Sequence, residues 1–241
     1  MRYPYVAALA RGAEADSVFF CGGALVAPRW IVTAAHCFFT RDGQWIGEAG
    51  LSAVVGRDRL DVLDKEARIG IDRVILHPGY DPASQDSDIA LVRLDTIAGP
   101  LVAALATLRD GDAPAATALG FGSFYEGRLA ANALSASGSP TSQTSYRLRQ
   151  SQVRRIDPAR CTPLADFGKI EDSRQLCFGA PSVDACVGDS GGPLVAPRPG
   201  GDDRLIGILS LGTGCAVAEP ALAYTRVADH AEWIAAVVGE Q

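Results

Sequence analysis

A serine near the C-terminal end of the chain lies in an unusual stretch, Cys186 to Val195, which reads "CVGDSGGPLV". Glycines, a proline and an aspartate surround Ser190 inside an otherwise apolar run. Because glycine tolerates positive φ and close backbone approach, this composition predicts a sharply shaped loop. A linker would also use Gly and Ser, but it would rarely hold Cys and Asp beside them. A serine hydroxyl held on such a loop becomes a nucleophile when a neighbouring base accepts its proton.

Three histidines could supply that base. His77 lies in an "HPGY" turn and His230 in a C-terminal helical segment, so we expect both to be surface or structural residues. His36 is the better candidate, because "VTAAHC" ends an apolar strand and places it beside a cysteine that can pin its loop. Among the acids, Asp88 opens the apolar strand "DIALVRL", where a partly buried carboxylate needs a partner, although it could also be a solvent-facing strand cap. Together with Ser190, these side chains could form a Ser-His-Asp arrangement.

Short apolar runs separated by turn residues make up most of the chain and must position these side chains. Gly, Pro or Asp bounds most runs, which favours an all-β sandwich or barrel. Helical spacing occurs over Val227–Val238, where Asp229 could cap a helix. Ser123–Tyr146 predicts a long surface loop, and Ala98–Pro114 predicts a connection between two β units. The runs are "GGALVAPRWIVTAA", "LSAVVG", "IGIDRVILHPGY", "DIALVRL", "ATALGFG", "PLVAP" and "RLIGILSL".

Composition excludes several classes of protein. The chain has 241 residues, of which 48% are hydrophobic and 21% charged, so it can bury a large core as one domain or two. The net charge is −6 and no Lys/Arg-rich tract occurs, so no nucleic-acid partner is expected. No apolar run approaches the roughly 20 residues of a membrane span. We therefore expect a soluble chain with no membrane partner, and any export signal absent from this sequence.

The six cysteines form an even set without a C-x-x-C pair, so a zinc or redox motif is disfavoured. Disulfides are favoured over buried free thiols, which predicts an oxidising compartment. Counting cannot choose among the pairings. The cysteines are Cys21, Cys37, Cys161, Cys177, Cys186 and Cys215.

The segments "VTAAHC", "DIALVRL" and "GDSGGPLV", in that order, resemble the signatures of the trypsin/chymotrypsin-like serine proteases. The likeness extends from about Pro4–Leu9 to Trp233–Ile234, nearly the entire chain. It includes "CGGALVAPRWIVTAAHC" before the histidine, "GFG" at Gly120–Gly122, and "ILSLGTGCA" after the serine. Because several separated blocks match in order, the resemblance is specific.

The resemblance implies an all-β fold of two six-stranded antiparallel β-barrels packed face to face, with a C-terminal helix. The active site would lie in the cleft between the barrels. We expect residues 1–105 to form the N-terminal barrel that carries His36 and Asp88. Residues 106–241 would form the C-terminal barrel, which carries Ser190 and the specificity pocket and ends in the helix.

The resemblance also implies catalytic roles. Ser190 would attack the peptide carbonyl, with His36 as general base and then general acid, and Asp88 would hold the imidazole tautomer. The backbone N–H groups of Gly188 and Ser190 would form the oxyanion hole. Ser210 matches the family serine that donates a hydrogen bond to the aspartate. The chain would then hydrolyse peptide bonds through an acyl-enzyme without a cofactor, and activity would fall below about pH 6.5.

The same family pattern selects a disulfide connectivity. The first bridge would anchor the histidine loop. The third would tie the nucleophile loop to a wall of the specificity pocket, and closing a loop of roughly 30 residues should contribute about 3–4 kcal/mol. The implied pairs are Cys21–Cys37, Cys161–Cys177 and Cys186–Cys215.

Substrate preference rests on a few positions of the expected pocket. Asp184 matches the acid at the base of a trypsin-type pocket and would pair with Arg or Lys of the substrate. Gly212, beside Ser210, matches an open pocket wall. Leu222 falls where a pocket glycine normally lies, although a shift of one residue would put Ala221 there instead. A leucine pointing inward would narrow the pocket.

Two further departures from the family concern neighbouring surfaces. Leu211 stands where the family usually has Trp. Gly56–Gly70 resembles the loop that binds Ca²⁺ in trypsins, but Arg57 and Ala67 stand at the positions that usually carry its glutamates. Because an arginine cannot ligate a cation, we predict no calcium or other metal site there.

A different class of protein is a protease-fold binding protein without turnover, but intact Ser190, His36, Asp88 and Gly188 argue against it. An esterase on another fold would want a G-x-S-x-G elbow, which "GDSGG" fits, but the required β/α alternation is absent. We expect a secreted or extracytoplasmic monomer that acts on protein or peptide substrates and is open to protein inhibitors.

The start of the sequence raises one more expectation. In this family, cleavage frees an N-terminal Ile-Val-Gly-Gly whose ammonium pairs with the acid before the nucleophile, here Asp189. The segment "YPYVAAL" near the start already resembles the family's first barrel strand. The activating segment is therefore expected to be missing upstream, and Asp189 should turn outward or become protonated. Without that partner for Asp189, we expect the polypeptide to be zymogen-like, with a poorly formed oxyanion hole and pocket.

Overall fold

The computed structural model describes residues 2–12, 18–40, 42–61, 67–99, 101–105, 113–122, 147–161, 174–179, 189–198, 202–212 and 221–239. Short strands dominate them, as the apolar runs predicted. The strands are β1 Val6–Arg11, β2 Val18–Ala27, β3 Trp30–Thr33, β4 Leu51–Val55, β5 Arg68–Leu76, β6 Ala90–Leu94, β7 Ala104–Leu105, β8 Ala115–Gly120, β9 Arg149–Arg155, β10 Gln175–Gly179, β11 Pro193–Ala196, β12 Arg204–Gly212 and β13 Ala221–Arg226.

The first six strands close into a barrel in the order β1-β2-β3-β6-β5-β4, with antiparallel neighbours throughout. One predicted apolar run supplies both β2 and β3, because Pro28 and Arg29 form the turn between them. Proline has no N–H to donate to a strand ladder, so it favours this turn. The hairpin ends at Thr33, directly before the segment that carries His36.

A second six-stranded barrel follows the order β11-β8-β9-β10-β13-β12 and is closed by pairing of β11 with β12. All neighbours within it are antiparallel, and the short β7 adds to β12 in parallel. The expected fold of two six-stranded antiparallel barrels is therefore confirmed. The predicted apolar runs did not include β1, β7, β9, β10 or β13. In β9, Val153 is the one fully buried residue.

One apolar cluster joins the two barrels. It contains buried residues of all six strands of the first barrel together with Phe121, Leu205 and Ile208 of the second. The C-terminal helix α1, Ala231–Gly239, contributes Ile234, which is 2% exposed. Since this cluster is continuous, the residues between the barrels are held by ordinary core packing.

The C-terminal helix begins later than the predicted start at Val227. Residues Val227–His230 form a 3₁₀ turn, in which the Ala231 N–H donates to the carbonyl of Ala228. A 3₁₀ turn places residues three apart on one side, and both Val227 and His230 are buried here. Other 3₁₀ turns lie at Ala35–Phe38 and Pro158–Arg160.

Some sequence expectations fall on segments that the structure covers in part or not at all. The predicted surface loop Ser123–Tyr146 lies outside the described residues. The predicted connection Ala98–Pro114 is described in part and contains β7. Within the described part of the chain, no helix has both the length and the apolar character needed to cross a membrane.

Candidate active site

His36 lies in the 3₁₀ turn Ala35–Phe38 that follows β3. A disulfide between Cys37 and Cys21 ties this turn to β2, as the family pattern implied. The His36 side chain is 26% exposed, so the imidazole reaches solvent on one side. The turn therefore presents the ring at the surface while its backbone stays anchored to the first barrel.

Asp88 stands directly behind His36 and is completely buried. The backbone N–H of His36 donates to Asp88 Oδ1 at 2.9 Å, and Nδ1 of the same residue lies 2.7 Å from Oδ2. Ser210 on β12 donates its hydroxyl to Oδ2 at 2.5 Å. Three donors thus satisfy a carboxylate that would otherwise be costly to bury. The structure thus brings His36 and Ser210 together on the carboxylate of Asp88.

The buried carboxylate determines the state of the imidazole. An ionised Asp88 is an acceptor only, so Nδ1 of His36 carries the proton and Nε2 keeps a free lone pair. Burial alone would lower the pKa of His36, but the negative charge of Asp88 and its hydrogen bond outweigh this effect and raise that pKa. Burial would conversely raise the pKa of Asp88, whereas His36 and the Ser210 hydroxyl hold it below its ordinary value. The pair can therefore accept a proton at Nε2 and stabilise the resulting imidazolium.

Ser190 lies in a half-buried turn that backbone hydrogen bonds tie to both barrels. Its carbonyl accepts from the N–H of Gly22 on β2 at 2.7 Å. The next residue, Gly191, donates to the carbonyl of Leu209 at 2.8 Å, directly before Ser210 on β12. These bonds hold the turn of Ser190 between β2 of the first barrel and β12 of the second barrel.

Gly191 is required by this close approach. Its φ is +76°, and a Cβ built there would lie 2.2 Å from Thr33 Oγ1 and 2.6 Å from the carbonyl oxygen of Gly22. The same point is 3.2 Å from the backbone nitrogen of Ala34, two residues before His36. The absence of a side chain therefore lets the turn that carries Ser190 press against the segment that carries His36.

Asp189, the residue before the serine, points at the "GFG" segment. Its Oδ1 accepts a hydrogen bond from the backbone N–H of Gly122 at 2.8 Å. A Cβ built on Gly120 would lie 2.0 Å from Oδ1, so only glycine leaves room for the carboxylate there. The sequence predicts that Asp189 turns outward or becomes protonated. In the structure its carboxylate faces the backbone of Gly120 and Gly122.

The expected specificity pocket is described in part. Leu222 on β13 is fully buried and belongs to the core cluster of the second barrel with Phe178 and Tyr224. Its Cδ2 lies 3.2 Å from a Cβ built on Gly212, the cross-strand partner of Leu222. Ala221 packs instead beside the Cys161–Cys177 disulfide. The leucine methyl thus occupies space directly beside the expected pocket wall.

Several predicted site residues lie outside the described part of the chain. They are the oxyanion-hole residue Gly188, the pocket acid Asp184, and Cys186 and Cys215 of the third expected disulfide.

The sequence reasoning missed two links between the barrels near Asp88. Thr225 on β13 donates its hydroxyl to the backbone carbonyl of Asp88 at 2.8 Å. Arg174, directly before β10, forms an ion pair with Asp86. A threonine inside the buried strand "ALAYTR" was the available signal, because a buried hydroxyl needs a partner.

The remaining histidines lie together elsewhere. The ring of His77 packs edge-on against His230 and Trp233, with centroid distances of 4.8 and 4.9 Å. Nδ1 of His77 accepts from the N–H of Gly79 at 3.1 Å, and Nδ1 of His230 lies 2.9 Å from the carbonyl of Arg226. These contacts agree with the structural role expected for both residues.

Cys21, His36 and Cys37 are the one group among the described residues whose atoms lie close enough to hold a metal ion together. Both sulfur atoms are bonded to each other in the disulfide. Cysteine binds a metal ion as the free thiolate, and both sulfur atoms here are held in the disulfide, so this group does not form a metal site.

Comparison with known proteins agrees with this geometry. A family model described as Trypsin matches residues 1–234. The chain is 33% identical to coagulation factor XII of Cavia porcellus over 250 residues, which covers 96% of this chain and 38% of that protein. It is 32% identical to tissue-type plasminogen activator of Sus scrofa, with 90% of this chain and 39% of that protein covered.

Urokinase-type plasminogen activator of Gallus gallus is 30% identical, and the match covers 96% of this chain and 54% of that protein. The chain therefore spans between about two fifths and about half of the length of these curated relatives. Because the family model matches nearly every residue, the chain belongs to the trypsin family of serine proteases.

Proposed function

We propose that this protein is a serine endopeptidase in which Ser190, His36 and Asp88 act as a catalytic triad. The observation that carries the proposal is the 2.7 Å contact between His36 Nδ1 and a completely buried Asp88 carboxylate. A buried carboxylate in this position raises the basicity of the imidazole and leaves Nε2 free to accept a proton. The turn of Ser190 meets the segment leading to His36 through Gly191.

The proposed reaction begins when Ser190 Oγ attacks the carbonyl carbon of the scissile peptide bond and His36 Nε2 takes the hydroxyl proton. The imidazolium is stabilised by Asp88, and the tetrahedral oxyanion by the backbone N–H groups of Ser190 and Gly188. The C–N bond then breaks as His36 returns the proton to the leaving amine. Water, deprotonated by the same imidazole, then attacks the carbonyl carbon of the acyl-enzyme. The ester bond to Ser190 Oγ breaks as His36 returns the proton to that oxygen, which releases the second product.

We further propose cleavage after Arg or Lys. Asp184 matches the acid that pairs with a basic side chain at the base of a trypsin-type pocket. Leu222 works against a deep pocket, since its Cδ2 lies 3.2 Å from the point that a Cβ on Gly212 would occupy. The preference for Arg or Lys therefore depends on how far a long basic side chain of the substrate can pass Leu222. A substitution of Leu222 tests this directly.

The natural substrates would be proteins or peptides, and protein inhibitors that insert a substrate-like segment would bind the same cleft. The disulfides Cys21–Cys37 and Cys161–Cys177 support folding in an oxidising compartment, and so secretion. The remaining alternative is a protease-fold binding protein with weak or no turnover, including a zymogen-like one.

Reaction with a fluorophosphonate separates these functions. The purified chain should be labelled at Ser190, identified by mass spectrometry of the modified peptide, and should hydrolyse peptide substrates with Arg or Lys before the scissile bond. Ser190→Ala should lose the label and lower kcat by about 10⁶-fold, because the nucleophile is gone. A folded wild-type chain that is neither labelled nor active, both as given and when extended to a free N-terminal Ile-Val-Gly-Gly, would contradict the proposal and favour the binding protein.

A further inference from the structure

Asp88 is attached to the second barrel at a point other than its carboxylate. The hydroxyl of Thr225 donates to the backbone carbonyl of Asp88 at 2.8 Å, and Thr225 is 1% exposed. The two residues are 137 positions apart in the sequence, so this bond crosses from the second barrel to the first. Ser210 holds the carboxylate of the same residue from the neighbouring strand β12.

The segment that leads into Asp88 has an unfavourable backbone. Gln85 and Ser87 have φ values of +56° and +50°, which residues other than glycine seldom adopt. Such conformations persist only where the surrounding structure holds them. The Ser87 carbonyl accepts from the N–H of Ile89 at 2.7 Å, so the turn closes tightly around Asp88.

The carbonyl bond restricts the orientation of the Asp88 side chain. Fixing the carbonyl of a residue fixes its ψ, and with it the direction of its Cα–Cβ bond relative to the neighbouring chain. The carboxylate must reach His36 Nδ1 at 2.7 Å and Ser210 Oγ at 2.5 Å simultaneously. A rotation of the peptide would break this arrangement even if the carboxylate itself were intact.

We infer that Thr225 is a positioning residue that aligns the Asp88 carboxylate with His36 by holding the Asp88 carbonyl. The inference rests on the proposed peptidase function for its kinetic consequences. The substitution Thr225→Val keeps the shape and burial of the side chain but removes the hydroxyl. It should lower kcat by between about 10- and 100-fold, because misplacement of catalytic groups by about 1 Å has effects of that order. KM should be unchanged, since Thr225 is buried away from solvent.

Two substitutions serve as controls. Thr225→Ser retains the hydroxyl and should restore kcat. Thr117→Val removes another buried threonine hydroxyl of the second barrel, one that accepts from Gln152 at 2.8 Å and lies on β8, a strand that carries no residue of the proposed triad. It should lower the melting temperature without changing kcat at a temperature where the protein is folded. If Thr225→Val fails to fold, the pair Thr225→Ser and Thr225→Ala provides the same comparison, because they differ by the hydroxyl alone.

A spectroscopic measurement tests the inference independently of turnover. The proton between His36 Nδ1 and Asp88 should give a downfield ¹H NMR signal that shifts or broadens in Thr225→Val and remains in Thr225→Ser and Thr117→Val. A wild-type kcat together with an unchanged signal in Thr225→Val would overturn the inference. The inference would also be overturned if kcat fell in both Thr225→Val and Thr117→Val, and the fall in each variant followed its loss of stability in the same proportion. A wild-type chain without activity or fluorophosphonate labelling, both as given and when extended to a free N-terminal Ile-Val-Gly-Gly, would refute the proposed function alone, and the signal would still decide the role of Thr225.

Discussion

The hydroxyl of Ser210 donates to Oδ2 of Asp88 at 2.5 Å, although the two residues belong to different barrels. Asp88 is completely buried, so its charge depends on donors supplied by the fold. The same bond helps to hold the pKa of Asp88 below its ordinary value. Docking of the second barrel is therefore part of what keeps the acid of the first barrel ionised.

Replacing Ser210 with alanine should lower the free energy of unfolding by about 1–3 kcal/mol at neutral pH, because a buried charged acceptor loses a donor. Since the folded-state pKa of Asp88 is depressed, the stability linked to its ionisation is present above the unfolded-state pKa and lost as the pH falls through the folded-state pKa. The difference from wild type should shrink in acid. Urea unfolding of wild type and Ser210→Ala at neutral and acidic pH measures this difference in the free energy of unfolding, and Ser151→Ala on β9 is the control. A difference of the same size at both pH values would show that the hydroxyl does not act through the ionised Asp88.

The pH dependence of hydrolysis should follow His36. Protonated His36 cannot accept the Ser190 proton, so kcat/KM should fall as the pH decreases through its pKa. Asp88 raises that pKa, so the fall should begin above the pH expected for an isolated imidazole. In Asp88→Asn the charge is lost, so the midpoint should move to lower pH and kcat should drop by about 10⁴-fold. A midpoint that stayed in place would show that Asp88 does not set the basicity of His36.

Gly191→Ala should be far more harmful than Gly43→Ala, although the φ values of the two glycines are +76° and +77°. A Cβ on Gly43 meets nothing within 4 Å, so its cost is the backbone term of about 1–2 kcal/mol. A Cβ on Gly191 overlaps Thr33 and Gly22, so the turn of Ser190 must move. Gly191→Ala should unfold at a lower urea concentration and should be labelled more slowly by the fluorophosphonate. Labelling of Gly43→Ala should be unchanged. Similar labelling rates would show that the contact with Thr33 is dispensable.

Leu222→Gly should increase kcat/KM for substrates with Arg or Lys at the cleaved position, since it removes the methyl group beside Gly212. Removing a fully buried leucine side chain should also cost about 2–5 kcal/mol of stability. Asp184→Ser should abolish any preference for basic over apolar side chains. Rates on a panel of peptides measure both effects. If the wild type accepts only small residues and Leu222→Gly broadens this range, the pocket is occluded; if Asp184→Ser leaves the preference intact, the pocket acid has been misassigned.

Gly120→Ala should displace the Asp189 carboxylate, because the new Cβ would lie 2.0 Å from Oδ1. Asp189 directly precedes Ser190, so the displacement should slow labelling of the serine. Gly239→Ala, whose Cβ meets nothing within 4 Å, provides a control for the same substitution elsewhere. An unchanged labelling rate in Gly120→Ala would show that the orientation of Asp189 does not control the reactivity of Ser190.

The sequence by itself determined the all-β class and the family of the chain. Alternation of short apolar runs with Gly, Pro and Asp predicted an all-β fold, because strand length and turn chemistry are local properties. The ordered motifs around His36, Asp88 and Ser190 identified the family, and with it the two-barrel arrangement and the role of Ser210. The polar strand β9 escaped the pattern because pairing with β8 and β10, rather than its own side chains, makes it a strand.

The tertiary structure decided which groups surround the candidate site. The bond from Thr225 to Asp88 and the approach of Gly191 to Thr33 join residues far apart in the chain. No local pattern encodes such contacts, since they depend on how the closed barrels pack against each other. The start of α1 at Ala231 rather than Val227 has the same origin, because burial of Val227 and His230 on one side favours a 3₁₀ turn there. Chemistry can therefore be assigned from side chains and their order, whereas alignment depends on packing between distant strands.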